Sequence, residues 1–263
     1  MDIKLTNGKK TITRSKEQSQ NDFAELESLG INVIYFPAIK IEESERIIDL
    51  KILLSKNSRF DYIIFPSFNS AKYFLVALNE TYYDINLIKQ KIAVGSKTKA
   101  YCEKHKIHID YVPEEYSAEG VIKYLSDRDL EGKKILIPKS EIGRRDLENY
   151  LRERKSEVFS IPVYKNELPN EDDLKNIIDE VNESEIDLFL FTSPSNYENF
   201  VTLMNIEDEA DYFSNSRIIA IGNSTKKVIE ENGVEVFSVP NEFTIEGMVN
   251  EVKKINDLFV VKS

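Results

Sequence analysis

Hydroxyl and amide side chains gather at four places where an apolar run of the chain gives way to a helical pattern. The four segments are PSFNS at 66–70, GSKT at 95–98, TSPSN at 192–196 and GNST at 222–225. At the start of a helix, such side chains can accept hydrogen bonds from unpaired backbone N–H groups. The same N–H groups, aided by the helix dipole, can instead bind a carboxylate or a phosphate. The pattern therefore predicts helix caps, anion-binding turns, or a mixture of both.

A few basic residues near predicted strand ends could add to anion binding. They are Arg14, Lys97, Lys139, Arg144 and Arg145. The whole chain carries a formal net charge of −11. This charge argues against a nucleic-acid partner, because phosphate backbones are bound by clustered Lys and Arg. We predict a small polyanionic ligand instead.

The sequence lacks the common cofactor and metal signatures. VGSKT at 94–98 does not have the glycine spacing of a phosphate-binding loop, and no G-x-G-x-x-G follows a first strand. The two histidines, His105 and His108, are predicted to be surface residues. Cys102 is the single cysteine and cannot form an intramolecular disulfide. We expect no cofactor, no metal and no membrane segment, in a reducing cytoplasm.

The chain repeats itself at an offset of 126 or 127 residues. The first matched set pairs Asp61, Phe65, Ser67 and Phe74 with Asp187, Phe191, Ser193 and Phe200. The second runs from IAVGSKT at 92 to SAEG at 117–120, and from IAIGNST at 219 to TIEG at 244–247. Shorter matches join GKKTITRS at 8 to GKKILIPKS at 132, and VIYFPAI at 33 to VFSIPVY at 158. Such self-similarity indicates a duplicated module.

Each module alternates short β-branched or aromatic runs with helical patterns. The predicted strands are ITR, NVIYF, YIIF, KIAVG and IDYV in the first module, and KILIP, EVFSI, LFLF, RIIAIG and EVFSV in the second. A helix is predicted over SQNDFAELESLG at 19–30, ending at Gly30 in a left-handed cap. Strands separated by helices predict two doubly wound α/β lobes with parallel sheets. The four polar turns then fall at the carboxyl ends of strands, where such sheets bind ligands.

Several of these segments together resemble the uroporphyrinogen-III synthase family. They are the duplicated F-[TP]-S turn, the [AI]-[VI]-G-x-x-T turn, the [ST]-x-E-G helix start after a proline-ended strand, and GRRDLENYLRERKSEVFSIPVY at 143–164. The resemblance covers roughly residues 8 to 253. It implies two similar flavodoxin-like lobes joined by a two-stranded β connector, with the first lobe discontinuous.

Carried onto this chain, the resemblance implies a first lobe of residues 1–37 plus 166–263 and a second lobe of residues 40–161. The connectors would lie near 37–41 and 161–166. A length of 263 residues also suggests two domains. A tandem division into residues 1–128 and 129–263 fits the repeat equally well, and the sequence leaves both arrangements open.

The resemblance implies a cofactor-independent lyase of tetrapyrrole and heme biosynthesis that acts as a monomer. Its substrate would be hydroxymethylbilane, a linear tetrapyrrole with eight carboxylates. The product would be uroporphyrinogen III, formed with loss of water and inversion of ring D. Tyr164 would be the catalytic residue, donating a hydrogen bond to the leaving hydroxyl.

The resemblance also implies a set of residues that bind the substrate at strand ends. They are Arg14, Ser67, Ser96, Thr98, Ser140, Thr192, Ser193, Asn223, Ser224 and Thr225. Pro66 stands where the family has a threonine, so Thr192 is expected to be the surer side-chain contact. The main alternative is a non-catalytic two-lobed binding or sensor protein for a small anionic ligand. A receiver-like signalling module fits less well, because no paired acidic cluster follows a first strand.

Overall fold

The structure is a computed structural model that describes residues 9–14, 23–143 and 145–260, with only the backbone of residues 256–260. Its strands are β1 (Lys9–Ile12), β2 (Val33–Tyr35), β3 (Lys40–Glu43), β4 (Phe60–Phe65), β5 (Ile88–Ala93), β6 (Lys134–Ser140), β7 (Glu157–Glu167), β8 (Ile186–Phe191) and β9 (Arg217–Ala220). Its helices are α1 (Ala24–Ser28), α2 (Ile47–Ser55), α3 (Phe68–Thr81), α4 (Ser96–Lys104), α5 (Ala118–Leu125), α6 (Asp146–Glu153), α7 (Glu171–Asn182), α8 (Pro194–Leu203), α9 (Glu209–Tyr212), α10 (Asn223–Glu231) and α11 (Ile245–Val260). A 3₁₀ turn spans Ile85–Leu87.

The chain forms two compact units. The first unit contains residues 1–40 and 167–263, and the second contains residues 41–166. The sheet of the first unit has the strand order β2-β1-β8-β9, and each neighbouring pair is parallel. The sheet of the second unit has the order β3-β7-β6-β4-β5, with parallel pairing from β7 to β5. The prediction of an α/β fold with parallel sheets is confirmed.

Strands that match in the sequence repeat occupy equivalent positions in their own sheets. β1 matches β6, β2 matches β7, β8 matches β4, and β9 matches β5. The order β2-β1-β8-β9 in the first unit is therefore the same order as β7-β6-β4-β5 in the second. Because β1 pairs with β8 rather than with β4, the tandem division at residues 128 and 129 is wrong.

Both faces of each sheet are covered by packed side chains. In β4, Ile63 packs with the side chains around Phe74, whereas the neighbouring Ile64 packs with those around Val121 on the other face. In β8, Phe189 and Leu190 separate in the same way into two apolar clusters of the first unit. Buried parallel strands are apolar on both faces, which explains why FDYIIF and IDLFLF read as nearly continuous apolar runs.

Two of the predicted strands are reduced to single bridges in the structure. IDYV pairs with its neighbour only through Tyr111 and Ile92, and EVFSV pairs only through Ser238 and Ile219. A proline follows each segment closely, at positions 113 and 240. Proline has no N–H to donate, so the ladder cannot continue through it.

The ends of the first predicted strand and helix also differ from the sequence expectation. β1 ends at Ile12, since the N–H of Arg14 turns back to the carbonyl of Ile12 at 2.8 Å. Thr13 and Arg14 therefore follow the strand rather than belong to it. Gly30 has the predicted left-handed conformation, with φ +76°, whereas residues 19–22 of the predicted helix lie outside the described residues. No helix in the described ranges combines the length and apolar character needed to cross a membrane.

Candidate active site

Serine side chains cap the helices that follow β4 and β8. Ser67 Oγ accepts the N–H of Ser70 at 3.1 Å, and Ser193 Oγ accepts the N–H of Asn196 at 3.1 Å. In the second unit, Ser70 Oγ accepts the N–H of Ser67 in return and completes a capping box. These two predicted ligand residues therefore act as helix caps, and each turn has part of its backbone satisfied internally.

The helices that follow β5 and β9 begin differently. Gly95 and Gly222 are the N-cap residues of α4 and α10, and neither helix has a side-chain cap. Ser96 opens α4, and Asn223 and Ser224 open α10, with their side chains exposed. In each unit, one serine-capped turn and one glycine turn thus follow the carboxyl ends of two adjacent strands. The glycine turns are the better candidates for binding an anion through backbone N–H groups.

An aromatic ring lies beside each glycine turn. A Cβ atom placed on Gly95 would lie 3.7 Å from the ring of Tyr116, and one on Gly222 would lie 3.3 Å from the ring of Phe243. Tyr116 and Phe243 are 61% and 58% exposed. The backbone at Gly222 is extended and does not itself require glycine, whereas a Cβ atom there would meet the Phe243 ring at less than ordinary contact distance.

Tyr164 lies in β7 of the second unit, next to the capped turn of α3. Its Oη is 3.1 Å from Ser67 Oγ, and its ring stacks on Tyr73 with centroids 5.8 Å apart and planes 16° apart. Ser140 is its partner residue across the β6–β7 ladder. The structure therefore brings together three of the predicted site residues, Tyr164, Ser67 and Ser140, at one edge of this sheet.

The backbone around Tyr164 is held by residues that the sequence analysis did not identify. The N–H of Glu141 donates to the carbonyl of Tyr164 at 3.0 Å, and the N–H of Ser44 donates to the carbonyl of Val163 at 3.2 Å. The buried hydroxyl of Ser44 in turn donates to the carboxylate of Glu141. The only available signal for Glu141 was its position directly after the repeated segment GKKILIPKS, which begins at residue 132. Nothing in the sequence pattern pointed to Ser44 or to Tyr73.

The hydroxyl groups of three predicted site residues are buried rather than exposed to solvent. Thr98 is buried and donates to the carbonyl of Val94 at 3.1 Å. Thr225 is fully buried, and its hydroxyl has no partner among the described residues. The hydroxyl oxygen of Ser140 is likewise buried without a described partner. These three side chains are therefore less available to contact a ligand than the exposed side chains of Ser96, Asn223 and Ser224.

Thr192 and Arg14 lie at the ends of neighbouring strands in the first unit. Thr192 Oγ1 accepts a hydrogen bond from the side-chain amide of Asn196 at 2.7 Å. Arg14 follows the buried Thr13, whose hydroxyl donates to the carbonyl of Leu190 at 3.1 Å. Because β1, β8 and β9 are adjacent in the sheet, Arg14, Thr192 and Asn223 share one edge of this unit.

The candidate cations differ in whether they can reach an anion. The ammonium group of Lys139 forms an ion pair with Glu148, and the two side chains are only 13% and 9% exposed. Burial alone would raise the pKa of Glu148, but hydrogen bonds from Lys139 and Ser160 outweigh it and hold that pKa below its ordinary value. Lys139 is therefore engaged within the unit. Arg145 is exposed at the start of α6, and Arg144 lies outside the described residues.

Other reactive groups are poorly suited to chemistry. The thiol of Cys102 is fully buried, and burial raises its pKa to about 12, so little nucleophilic thiolate forms near neutral pH. Within residues 9–14, 23–143 and 145–255, no three His, Cys, Asp or Glu side chains are grouped so as to hold a metal ion.

The fold and the site define the chain as an α/β protein of two units with parallel sheets and polar turns at the carboxyl ends of their strands. The family model described as uroporphyrinogen-III synthase HemD matches residues 21–250. The chain therefore belongs to the uroporphyrinogen-III synthase family, whose members are enzymes of tetrapyrrole synthesis.

Sequence relatives carry the same family name, and solved structures show a similar fold. The chain is 30% identical to a putative uroporphyrinogen-III synthase from Methanocaldococcus jannaschii, over 95% of this chain and 99% of that protein. It is 28% identical to a uroporphyrinogen-III synthase from Chlorobaculum parvum, over 88% of this chain and 92% of that protein. A mutant uroporphyrinogen III synthase from Thermus thermophilus has a similar fold, with a TM-score of 0.60 and 16% identity over 95% of this chain and 99% of that one. The synthetase from Helicobacter pylori matches with the same TM-score and identity, over 94% and 99%.

Proposed function

We propose that this chain cyclises hydroxymethylbilane to uroporphyrinogen III, with loss of water and inversion of ring D, as a cofactor-independent lyase. Membership of the uroporphyrinogen-III synthase family supports the reaction. The observation that carries the proposal for the site is the placement of Tyr164. Tyr164 lies within β7 and is half-buried, and its phenol oxygen has one hydrogen-bond partner among the described residues, Ser67.

We propose that backbone N–H groups bind most of the substrate's carboxylates. The glycine turns that open α4 and α10 have no side-chain cap, so the positive ends of these helices are available to anions. The exposed hydroxyls and amide of Ser96, Asn223 and Ser224 would add directed contacts. At the other turns of the first unit, the same contacts would come from Thr192, Ser193 and Arg14. The inward-facing hydroxyl groups would instead support the conformation of the turns in which they lie; they belong to Thr98, Ser140 and Thr225.

In this proposal Tyr164 helps the hydroxyl group of the substrate to depart. The C–O bond of the hydroxymethyl carbon breaks, the phenol donates its proton to the departing oxygen, and the adjacent pyrrole supplies the electron pair that replaces the bond. The pyrrole provides most of the driving force, so the protein contributes positioning and one proton donor. Ring closure through a spiro intermediate would then follow.

The outcome that requires the enzyme is the choice of isomer. Hydroxymethylbilane can close unaided to the symmetric type I isomer, whereas the proposed enzyme directs attack to the substituted carbon of ring D. A hundredfold preference corresponds to about 2.7 kcal/mol of transition-state free energy. A few backbone contacts to carboxylates are enough to supply this difference.

We further propose that the two units are lobes of one duplicated module, the first of them discontinuous. The equivalent sheet positions of sequence-matched strands support this origin. The segments around residues 37–41 and 161–166 would then connect the lobes. β3 and β7, which contain parts of these segments, are neighbours in the sheet of the second unit.

The test is incubation of the protein with freshly prepared hydroxymethylbilane, followed by oxidation and chromatographic separation of the isomers. We expect type III product, formed faster than the type I product of a protein-free control. Type I product alone would overturn the proposal and leave a binding or sensor protein for an anionic ligand as the explanation of the fold.

A further inference from the structure

Either oxygen could donate in the hydrogen bond between Ser67 and Tyr164, and the other partner of Ser67 Oγ favours one direction. Among the described residues, Ser67 Oγ has two neighbours within hydrogen-bond distance, the N of Ser70 and the Oη of Tyr164, both at 3.1 Å. The N–H of Ser70 can only donate, so it takes one lone pair of Ser67 Oγ. The hydroxyl proton of Ser67 then has one described acceptor, which is Tyr164 Oη.

The opposite direction satisfies fewer groups. If Tyr164 donated to Ser67, the phenol would use its only proton inside the protein, and the serine proton would have no acceptor among the described residues. Donation by Ser67 satisfies both oxygens and leaves the phenol O–H unused. A hydroxyl that accepts a backbone N–H at a helix start is also polarised into a stronger donor.

We propose that Ser67 is a positioning residue for catalysis, which donates its hydroxyl proton to Tyr164 and so directs the Tyr164 O–H toward the departing hydroxyl of the substrate. This inference rests on the proposed function of the chain. It reassigns Ser67, which the resemblance places among the residues that contact substrate, to a role that acts through Tyr164.

The arrangement fits the charge changes of the proposed step. When the C–O bond breaks, the Tyr164 proton moves to the departing oxygen and water leaves. The electron pair that replaces the bond comes from the pyrrole, and negative charge develops on the phenol oxygen. A hydrogen bond from Ser67 to that oxygen becomes stronger as the charge develops, because hydrogen bonds to ionised oxygens exceed those to neutral ones. Ser67 therefore stabilises the transition state more than the bound substrate.

One helix holds the phenol at two points. Ser67 caps α3 and contacts the oxygen of Tyr164, while Tyr73 lies in the same helix and stacks on its ring. The described part of the first unit has no such pair of contacts. Ser193 caps α8 in the same manner, but the position that matches Tyr164 in the repeat is Ile39. Among the described residues, Ser67 Oγ thus has a tyrosine partner that Ser193 Oγ does not have.

Two substitutions at residue 67 separate capping from proton donation. Ser67→Asp keeps a side chain that caps helices well, but a carboxylate only accepts hydrogen bonds and therefore draws the Tyr164 proton away from the substrate. Ser67→Thr keeps both the cap and the donor. At saturating hydroxymethylbilane, we expect kcat for type III product to fall about tenfold or more in Ser67→Asp and to stay within about threefold of wild type in Ser67→Thr.

A matched control and a second background complete the experiment. Ser117 caps α5 of the same unit by accepting the N–H of Gly120 at 3.1 Å, and its hydroxyl donates to Glu115 at 3.0 Å rather than to a tyrosine, so Ser117→Asp should leave kcat unchanged even if it lowers stability. In a Tyr164→Phe background, Ser67→Asp and Ser67→Thr should give the same kcat, because the phenol through which Ser67 acts is gone.

The outcomes distinguish this inference from the function on which it rests. Two results would overturn the positioning role alone. One is that Ser67→Asp lowers kcat by the same factor in the wild-type and Tyr164→Phe backgrounds. The other is that Ser67→Asp leaves kcat unchanged although Tyr164→Phe lowers it. A wild-type protein that forms no type III product would overturn the proposed function and this inference together. Thermal unfolding of each variant shows whether it is folded.

Discussion

The ring of Tyr164 stacks almost parallel on the ring of Tyr73, with planes 16° apart. Tyr73 is itself buried, and its hydroxyl donates to the carbonyl of Ile41 at 2.9 Å. The phenol of Tyr164 is therefore held by its ring face as well as by its oxygen. A side chain held in this way can present a proton donor in one direction without first losing conformational freedom.

Tyr164→Phe is expected to lower kcat for type III product by about 100-fold, as is usual when a proton donor to a leaving group is lost. The melting temperature should change little, because the phenylalanine ring keeps the stack on Tyr73. Steady-state kinetics and thermal unfolding provide the two measurements. An unchanged kcat would remove Tyr164 from the proposed mechanism.

Tyr83→Phe is the matched control for this substitution. Tyr83 is a buried tyrosine of the same unit whose hydroxyl donates to the carbonyl of Ser58. Its removal should lower the free energy of unfolding by about 1 kcal/mol and leave kcat unchanged.

Single alanine substitutions among the polar turn residues should each reduce kcat/KM by less than about 10³-fold. Backbone N–H groups remain after a side chain is truncated, so anion binding at α4 and α10 survives. Thr192→Ala and Ser224→Ala test this expectation, and Thr202→Ala, at an exposed position late in α8, is the control. A larger loss from one folded variant would contradict binding through distributed backbone contacts.

Gly120→Ala and Gly247→Ala should both be strongly destabilising. A Cβ atom at either position would lie 2.1 Å from a backbone carbonyl oxygen, that of Glu115 or of Glu242. Overpacking of this kind typically costs about 1–3 kcal/mol or more. Gly143→Ala is the control, since its Cβ would meet only the Lys139 side chain at 3.5 Å, an ordinary contact. Chemical denaturation measures the difference, and equal stability of all three variants would contradict the expected clash.

Glu148 should make the stability of the protein depend on acid pH. The folded-state pKa of Glu148 lies below the ordinary pKa of a glutamate, so its contribution to stability is complete above that ordinary pKa and is lost as pH falls through the lower folded pKa. Glu148→Gln should unfold about 3–5 kcal/mol more easily at pH 7, because it leaves the largely buried ammonium group of Lys139 without its ion partner. The stability difference from wild type should shrink as pH falls below the ordinary glutamate pKa of about 4.3.

The exposed ion pair of Glu131 with Lys155 provides the comparison for Glu148. These side chains are 67% and 72% exposed, so Glu131→Gln should change stability by less than about 1 kcal/mol. Urea titrations between pH 3 and pH 7 distinguish the two variants. A pH-independent difference between wild type and Glu148→Gln would refute the assignment.

The sequence predicted the helix-capping residues of the site. Ser67 and Ser193 follow apolar strands and precede helices, and both are caps, because capping depends on residues only three positions apart. The same pattern could not show that Thr98 bonds back to Val94 or that Lys139 is paired with Glu148. Those outcomes depend on which way a side chain leaves its turn and on neighbours brought together by packing.

The contact between Ser67 and Tyr164 joins residues 97 positions apart and could be seen only in the folded chain. The repeat by itself predicted two matched sets of strands whose apolar runs favour parallel, buried sheets. It could not decide that β1 pairs with β8 rather than with β4. Matched strands have similar side chains, so each would fit into either sheet. The local sequence therefore does not determine which strand β1 pairs with. Only the packing of the complete helices and sheets selects one partner.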